Sequence, residues 1–190
     1  MTMGGLSRQH DRELLDALES YRPEAVARET WRVTAKGRDA LRGSTAGGRW
    51  SPPGEFEVLY TSLARAGALA EIGYRLTLEP VWPNRLEHEL HRITARTSNS
   101  LRFADVSSLS ILGVDARRYS TFEYSVTQAI AAAAFFLDFD GLIVPSARCA
   151  ELNLVIFMDK LDVGEQLKVE ASEPIDWSAW RSQNRPPNAI

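Results

Sequence analysis

The sequence predicts an α+β fold, a mixed, mainly antiparallel sheet with flanking helices. Three observations lead to it. Leu142-Ile143-Val144 and Leu154-Val155-Ile156-Phe157 are continuous apolar runs, the pattern of strands covered on both faces. Helical patterns fall between the strand-like runs without the regular strand–helix alternation of a doubly wound sheet. The chain has 190 residues, of which 44% are hydrophobic, enough for one domain with a sizeable core.

Taken in order, residues 10–20 read as a short amphipathic helix with Leu14, Leu15 and Leu18 on one face, closed by Pro23. Trp31-Arg32-Val33 is a short β-prone run. The Gly-rich, basic stretch KGRDALRGSTAGGRW reads as loop. Val58-Leu59-Tyr60-Thr61 reads as a strand, and Leu63 to Leu78 as a helix with Leu69, Ile72 and Leu76 on one stripe. Residues 86–97 alternate as a strand does. Ser107 to Leu112 forms a short helix capped by Asp105 or Ser107. Ser120 with Glu123 gives a capping-box pattern opening a helix to about Leu137, apolar on every side from Ala129 and therefore buried. The last ten residues, RSQNRPPNAI, read as a loose tail.

Composition narrows the function. Twenty-two Lys+Arg against 25 Asp+Glu leave a net charge of −3, which gives no global reason for nucleic-acid or membrane binding. The single cysteine, Cys149, excludes an internal disulfide and fits a reducing compartment; it reads as a packing residue. MTMGGLSRQHDRELL lacks the apolar core of a signal peptide, and the apolar stretch from Val126 to Leu137 is too short to span a bilayer, so the expected location is the cytoplasm. His88 and His91 are three apart, not in HExxH spacing, and would face opposite sides of a strand, so no metal site is expected.

Three places carry candidate chemistry. Arg32, Lys36, Arg38, Arg42 and Arg49 cluster around Gly37, Gly43, Gly47 and Gly48, with Asp39 as the only acid. Arginine forks and close-approaching glycine backbone suit a diphosphate; a solvated, charged surface loop has the same composition. Glu71 lies opposite the apolar stripe of its helix, beside Ala64, Ala68 and Arg75. It is either an exposed pair with Arg75 or a carboxylate facing a cleft in which small residues leave room for a ligand. Ser146, at the end of a buried strand, is a turn serine or a site residue, and Asn153 is a structural amide or a ligand contact.

Together these pieces resemble the RES domain: Trp31-Arg32-Val33, then Gly47-Gly48-Arg49-Trp50 with Pro53-Gly54, Val58 to Ser62, Ala70-Glu71, Gly141 to Ser146 and Asn153 to Phe157. The resemblance spans about Trp31 to Leu161 and implies a catalytic unit over 31–161 between a helical extension, 1–30, and a strand-and-tail extension, 162–190. It implies an ADP-ribosyltransferase-like fold and the toxin of a bacterial type II toxin–antitoxin pair. Its substrate would be NAD⁺, cleaved at the nicotinamide–ribose bond with water or phosphate as acceptor, without a metal. Carried over, Arg32 and Arg49 bind the diphosphate and adjoining ribose, Tyr60 lies against nicotinamide, Glu71 contacts the nicotinamide ribose, and Ser146 and Asn153 orient the ligand. Arg32, Tyr60 and Glu71 form the expected catalytic group. The implied partner is an antitoxin with an Xre-like helix-turn-helix domain. Two alternatives stay open: ADP-ribose transfer to a protein, and a non-catalytic binding module.

Overall fold

The computed structural model describes residues 10–83 and 85–184. Residues 1–9, the start of the N-terminal segment without an apolar core, and 185–190, the end of the expected tail, lie outside them. The elements in order are α1 (Arg12–Glu19), β1 (Glu24–Ala35), β2 (Val58–Ser62), α2 (Arg65–Thr77), β3 (His88–Arg102), α3 (Val106–Ser110), α4 (Ser125–Phe136), β4 (Gly141–Pro145), β5 (Leu152–Phe157), α5 (Val163–Gln166), β6 (Leu167–Pro174) and α6 (Trp177–Gln183), with a 3-10 turn at Met158–Lys160. No helix among the described residues is long and apolar enough to cross a membrane.

The sheet runs β1-β2-β5-β4-β3-β6, and β1 also pairs with β3, so the sheet curls back on itself. Every pairing is antiparallel except β3 with β4. This is the α+β, mainly antiparallel architecture expected. β1 and β3 are longer than their apolar runs suggest. They pair along an eleven-step ladder from Glu24↔Ser100 to Ala35↔His88, with polar Thr30, Thr34, His91, Thr97 and Ser100 among the buried residues. The ladder shifts register between Glu24 and Val26, opposite Ser98 and Asn99. Buried Asp140 takes up the loosened amides, accepting from Ser98 N at 2.6 Å and Asn99 N at 2.8 Å, and from the Ser100 hydroxyl at 2.8 Å. That bend frees the end of β3 to pair with β4.

One face of the sheet carries Val58, Leu101, Leu142, Val144, Val155 and Phe157 against α4 and α1. The other carries Leu59, Ile143, Leu154 and Ile156 with Val26 and Ala95. β4 and β5 are thus covered on both faces, as their unbroken apolar runs require. On α2, Leu69 and Leu76 pack with Val33, Leu90 and Trp177, and Ile72 and Trp31 join them. A Cβ at Gly73 would overlap the Trp180 ring, so this glycine lets α6 dock on α2.

Three local expectations change. α4 starts at Ser125 with Tyr124 as an N-cap that makes no side-chain bond; Glu123 turns away to pair with Arg118, so the capping box at Ser120 does not form. The apolar surround of α4 is incomplete, since Phe136 is 60% exposed. The tail begins later than expected, because Asp176 caps α6 through Ser178 N and Ala179 N and the helix runs to Gln183. The short helix α3 uses Asp105, which accepts from Ser108 N at 2.8 Å.

Candidate active site at the end of β2, β4 and β5

Antiparallel register sets Ser62 beside Asn153, and Asn153 beside Val144, at one end of three adjacent strands. α2 starts there, three residues after β2, and crosses close above. A Cβ at Gly67 would overlap the Ser62 hydroxyl, so this glycine sets the distance between helix and sheet. One turn further on, Glu71 lies over Asn153. Its Oε1 accepts from the Ser146 hydroxyl at 2.6 Å and from Asn153 Nδ2 at 3.2 Å. The first is a short, charge-assisted bond. Glu71 is therefore not simply one half of an exposed pair with Arg75. Of the small residues before it, Gly67 and Ala68 are buried, Ala68 in the cluster of Val33 and Leu90. Asn153 Oδ1 is buried without a hydrogen-bond partner among the described residues. A buried acceptor left unpaired costs about 1–3 kcal/mol, so this oxygen can gain from a donor brought by a ligand.

The GGRW segment reaches the same place through a knot of hydrogen bonds. Gly47 adopts φ +92°, which an L side chain rarely takes. Tyr60 Oη on β2 accepts from Trp50 N at 2.9 Å and donates to Ser51 Oγ at 3.2 Å. Gln128 on α4 donates to Gly48 O at 2.8 Å. A Cβ at Gly48 would press on the Tyr60 hydroxyl at 2.8 Å. Burial raises the Tyr60 pKa, with the Ser51 and Trp50 bonds opposing, so it stays a neutral strut.

Arg49 is presented by this turn. Its guanidinium lies 4.7 Å from the Tyr119 ring centroid and 4.9 Å from that of Tyr124, and Nη2 donates to Thr121 O at 3.0 Å. Burial lowers the Arg49 pKa most; Tyr119 and Tyr124 oppose, Arg148 adds repulsion, and Glu71 is close enough to oppose it. Tyr119 is itself held by its hydroxyl on Pro145 O at 2.7 Å, and burial raises its pKa. Arg148, just past Ser146, stacks 3.7 Å from the Tyr74 ring centroid, and its Nη1 donates to Ser120 O at 2.9 Å. Its backbone N–H donates to Ser146 Oγ at 3.0 Å.

Glu71, Ser146, Asn153, Arg49 and Tyr60 thus occupy one neighbourhood. Among the described residues Arg32 makes no hydrogen bond or ion pair with these five side chains. Alternation along β1 turns Trp31 and Val33 toward α2 and Arg32 the other way, opposite His91 in the β1–β3 ladder. Its Nη1 donates to Ala40 O at 3.1 Å. Burial lowers it to about 10, Arg38 adds to that and Asp39 opposes. Arg32 therefore ties down the loop that leads to Gly47–Trp50. Sequence reasoning passed over Tyr119, Tyr124, Gln128 and Arg148; only Arg148 carried a local signal, its place two residues after Ser146. Among the described residues no group of three or more His, Cys, Asp or Glu could hold a metal ion.

Comparison with known proteins shows what the chain is similar to. The NAD(+) phosphorylase MbcT of Mycobacterium tuberculosis is 27% identical over 141 residues, 71% of this chain and 76% of that protein. A probable NAD(+) phosphorylase of the same organism is 32% identical over 137 residues, 72% of this chain and 64% of that protein. The crystal structure of the M. tuberculosis MbcT–MbcA toxin–antitoxin complex contains a chain that superposes with a TM-score of 0.77 at 22% identity, over 90% of this chain and 97% of that one. The RES domain family model matches residues 29–178, from the middle of β1 into α6, and the chain belongs to the RES domain family.

Proposed function

We propose that this protein cleaves the nicotinamide–ribose bond of NAD⁺ with inorganic phosphate as acceptor, and that it acts in the cytoplasm as the toxin of a toxin–antitoxin pair. The observation that carries the reading is the Glu71 carboxylate, pinned by Ser146 and Asn153 within the field of Arg49. The names of the phosphorylase relatives support the substrate and the acceptor. The toxin–antitoxin complex of the structural relative supports an antitoxin partner, and we propose, from the family resemblance, that it carries an Xre-like helix-turn-helix domain.

Breaking the glycosidic bond builds positive charge on the ribose. Both bonds to Glu71 fall on Oε1, which leaves Oε2 for the ribose. A carboxylate fixed there attracts the developing cation more strongly than the ground state, which is the condition for catalysis. Asn153 Oδ1, buried and without a partner among the described residues, suits a donor such as the nicotinamide carboxamide or a ribose hydroxyl. Arg49, with one carbonyl partner and two aromatic faces, suits the diphosphate. Tyr60 keeps the Arg49 turn in place while its ring borders the nicotinamide end. Arg32 acts one step back, on the loop that carries Arg49.

The test is direct. Purified protein is incubated with NAD⁺, with and without phosphate, and released nicotinamide is measured. Phosphate-dependent release, with ADP-ribose 1″-phosphate as co-product, is expected. An inert protein at micromolar concentration over several hours refutes the reading.

A further inference from the structure

Two guanidinium groups are anchored side by side near the Ser146 end of β4, and among the described residues neither has an ion-pair partner. Arg49 comes from the Gly47–Trp50 turn and Arg148 from the loop between β4 and β5. Their anchors are consecutive carbonyls of one segment: Arg148 donates to Ser120 O at 2.9 Å and Arg49 to Thr121 O at 3.0 Å. Each cation also rests on aromatic rings, Arg49 on Tyr119 and Tyr124, Arg148 on Tyr74 and, at 5.5 Å, Phe122. Among the described residues neither has a carboxylate oxygen at ion-pair distance. A guanidinium has five N–H donors, and each of these uses one. Like charges placed together with donors uncommitted are the arrangement of an anion site.

Phosphorolysis of a dinucleotide brings two anions to one centre, the diphosphate already bound and the incoming phosphate. Arg49 accounts for one. Arg148 is held near the reacting end twice: its backbone N–H donates to Ser146 Oγ at 3.0 Å, whose hydroxyl donates to Glu71 Oε1 at 2.6 Å, and its guanidinium stacks on Tyr74, three residues after Glu71 on α2. A hydrogen phosphate dianion approaching the ribose carbon is repelled by the Glu71 carboxylate and by the diphosphate. A cation beside Glu71 offsets that repulsion, and water, being neutral, needs no such help.

We propose that Arg148, stacked on Tyr74 beside Glu71, forms with Arg49 the subsite for the acceptor phosphate and so directs the reaction to phosphorolysis rather than hydrolysis. This rests on the function proposed above. In the step, a phosphate oxygen forms the bond to the anomeric carbon of the nicotinamide ribose, C1″ of the product, as the bond from that carbon to the nicotinamide nitrogen breaks. The electron pair of that bond leaves with nicotinamide, which becomes neutral. The proton of the hydrogen phosphate stays on the new monoester, so no proton transfer is needed.

Arg148→Gln removes the charge at similar length, and Arg148→Lys keeps the charge but loses the stacked fork. Initial rates of nicotinamide release are measured across phosphate concentrations, with products resolved into ADP-ribose 1″-phosphate and ADP-ribose. Arg148→Gln is expected to raise half-saturating phosphate about 10- to 100-fold, the usual worth of a charge-assisted contact, and to shift product toward ADP-ribose. Arg148→Lys is expected to recover part of the loss; should the Gln chain melt early, the Lys chain carries the test through its own rise in half-saturating phosphate. Unchanged phosphate dependence in a folded variant, or a rise confined to the KM for NAD⁺, overturns the subsite. Wild-type release that ignores phosphate overturns the acceptor reading and the subsite together; phosphate-dependent wild type with an indifferent Arg148→Gln chain overturns the subsite alone.

Discussion

Replacing Glu71 by glutamine separates charge from structure at the centre of the site. Both donors to Glu71, the Ser146 hydroxyl and Asn153 Nδ2, bind the same oxygen, Oε1. A glutamine carbonyl oxygen in that place accepts both, so the packing of α2 on β4 and β5 is preserved. What disappears is one unit of negative charge. For a carboxylate about 4 Å from the charge developing on the ribose, an effective dielectric of about 20 gives an interaction of about 4 kcal/mol. At about 1.4 kcal/mol per tenfold change in rate, this is a loss of about 10³ in kcat. The KM for NAD⁺ should change little, because the ground-state contacts survive. Single-turnover nicotinamide release measures the chemical step, and thermal melting checks the fold. A well-folded Glu71→Gln chain within tenfold of wild type would refute the electrostatic role.

Other expectations follow from the same geometry. Ser146→Ala removes the short bond to Glu71 and the acceptor for Arg148 N, and should lower kcat about 10- to 100-fold with a smaller change in KM for NAD⁺; nicotinamide release kinetics check it. Arg49→Ala should weaken NAD⁺ binding about 10- to 100-fold by direct loss of a charge-assisted contact, whereas Arg32→Ala should raise KM less, by loosening the loop held at Ala40 O, and calorimetric titration with NAD⁺ distinguishes the two. His91 is buried between Thr34 Oγ1 at 2.8 Å and Ser172 Oγ at 2.7 Å, and burial lowers its pKa below 6.5, with Arg32 adding to this and Glu89 opposing. The unfolded chain therefore binds the proton more readily. The His91 contribution to stability is complete above about pH 6.5 and is lost as pH falls from there; melting temperatures from pH 8 to 5 should decline more steeply in wild type than in His91→Gln.

The elements legible in the sequence are those with strong local signals. β4 and β5 are unbroken apolar runs because both faces are covered, and α2 and α4 show their packing in their composition. β1 and β3 extend well beyond their readable cores. Glu24 to Thr30 and Ser98 to Arg102 hold only isolated core residues, Val26 and Leu101, among polar and small ones, and pairing with each other and with neighbouring strands makes them extended. The capping box at Ser120 had the right spacing, but Glu123 found Arg118 instead, since a local pattern yields to whichever partner the chain brings near. The candidate residues were legible as types: a carboxylate on a helix, a serine at a strand end, arginines among glycines.

By itself the sequence determined the class of chemistry, because the residue types and their order along the chain match the RES domain, and the apolar runs determined which segments form the core. Which side chains meet was decided only in three dimensions. Arg32 and Arg49 look equivalent in the sequence, yet strand alternation turns Arg32 away from α2 while the Gly47 turn carries Arg49 toward Glu71. Arg148 looks like an ordinary loop residue until the fold sets Tyr74 beneath it and Ser120 beside it. The physical reason is that strand register and close helix packing at Gly67 fix positions to within a few ångströms, and charge interactions depend on that distance, which no spacing along the chain encodes.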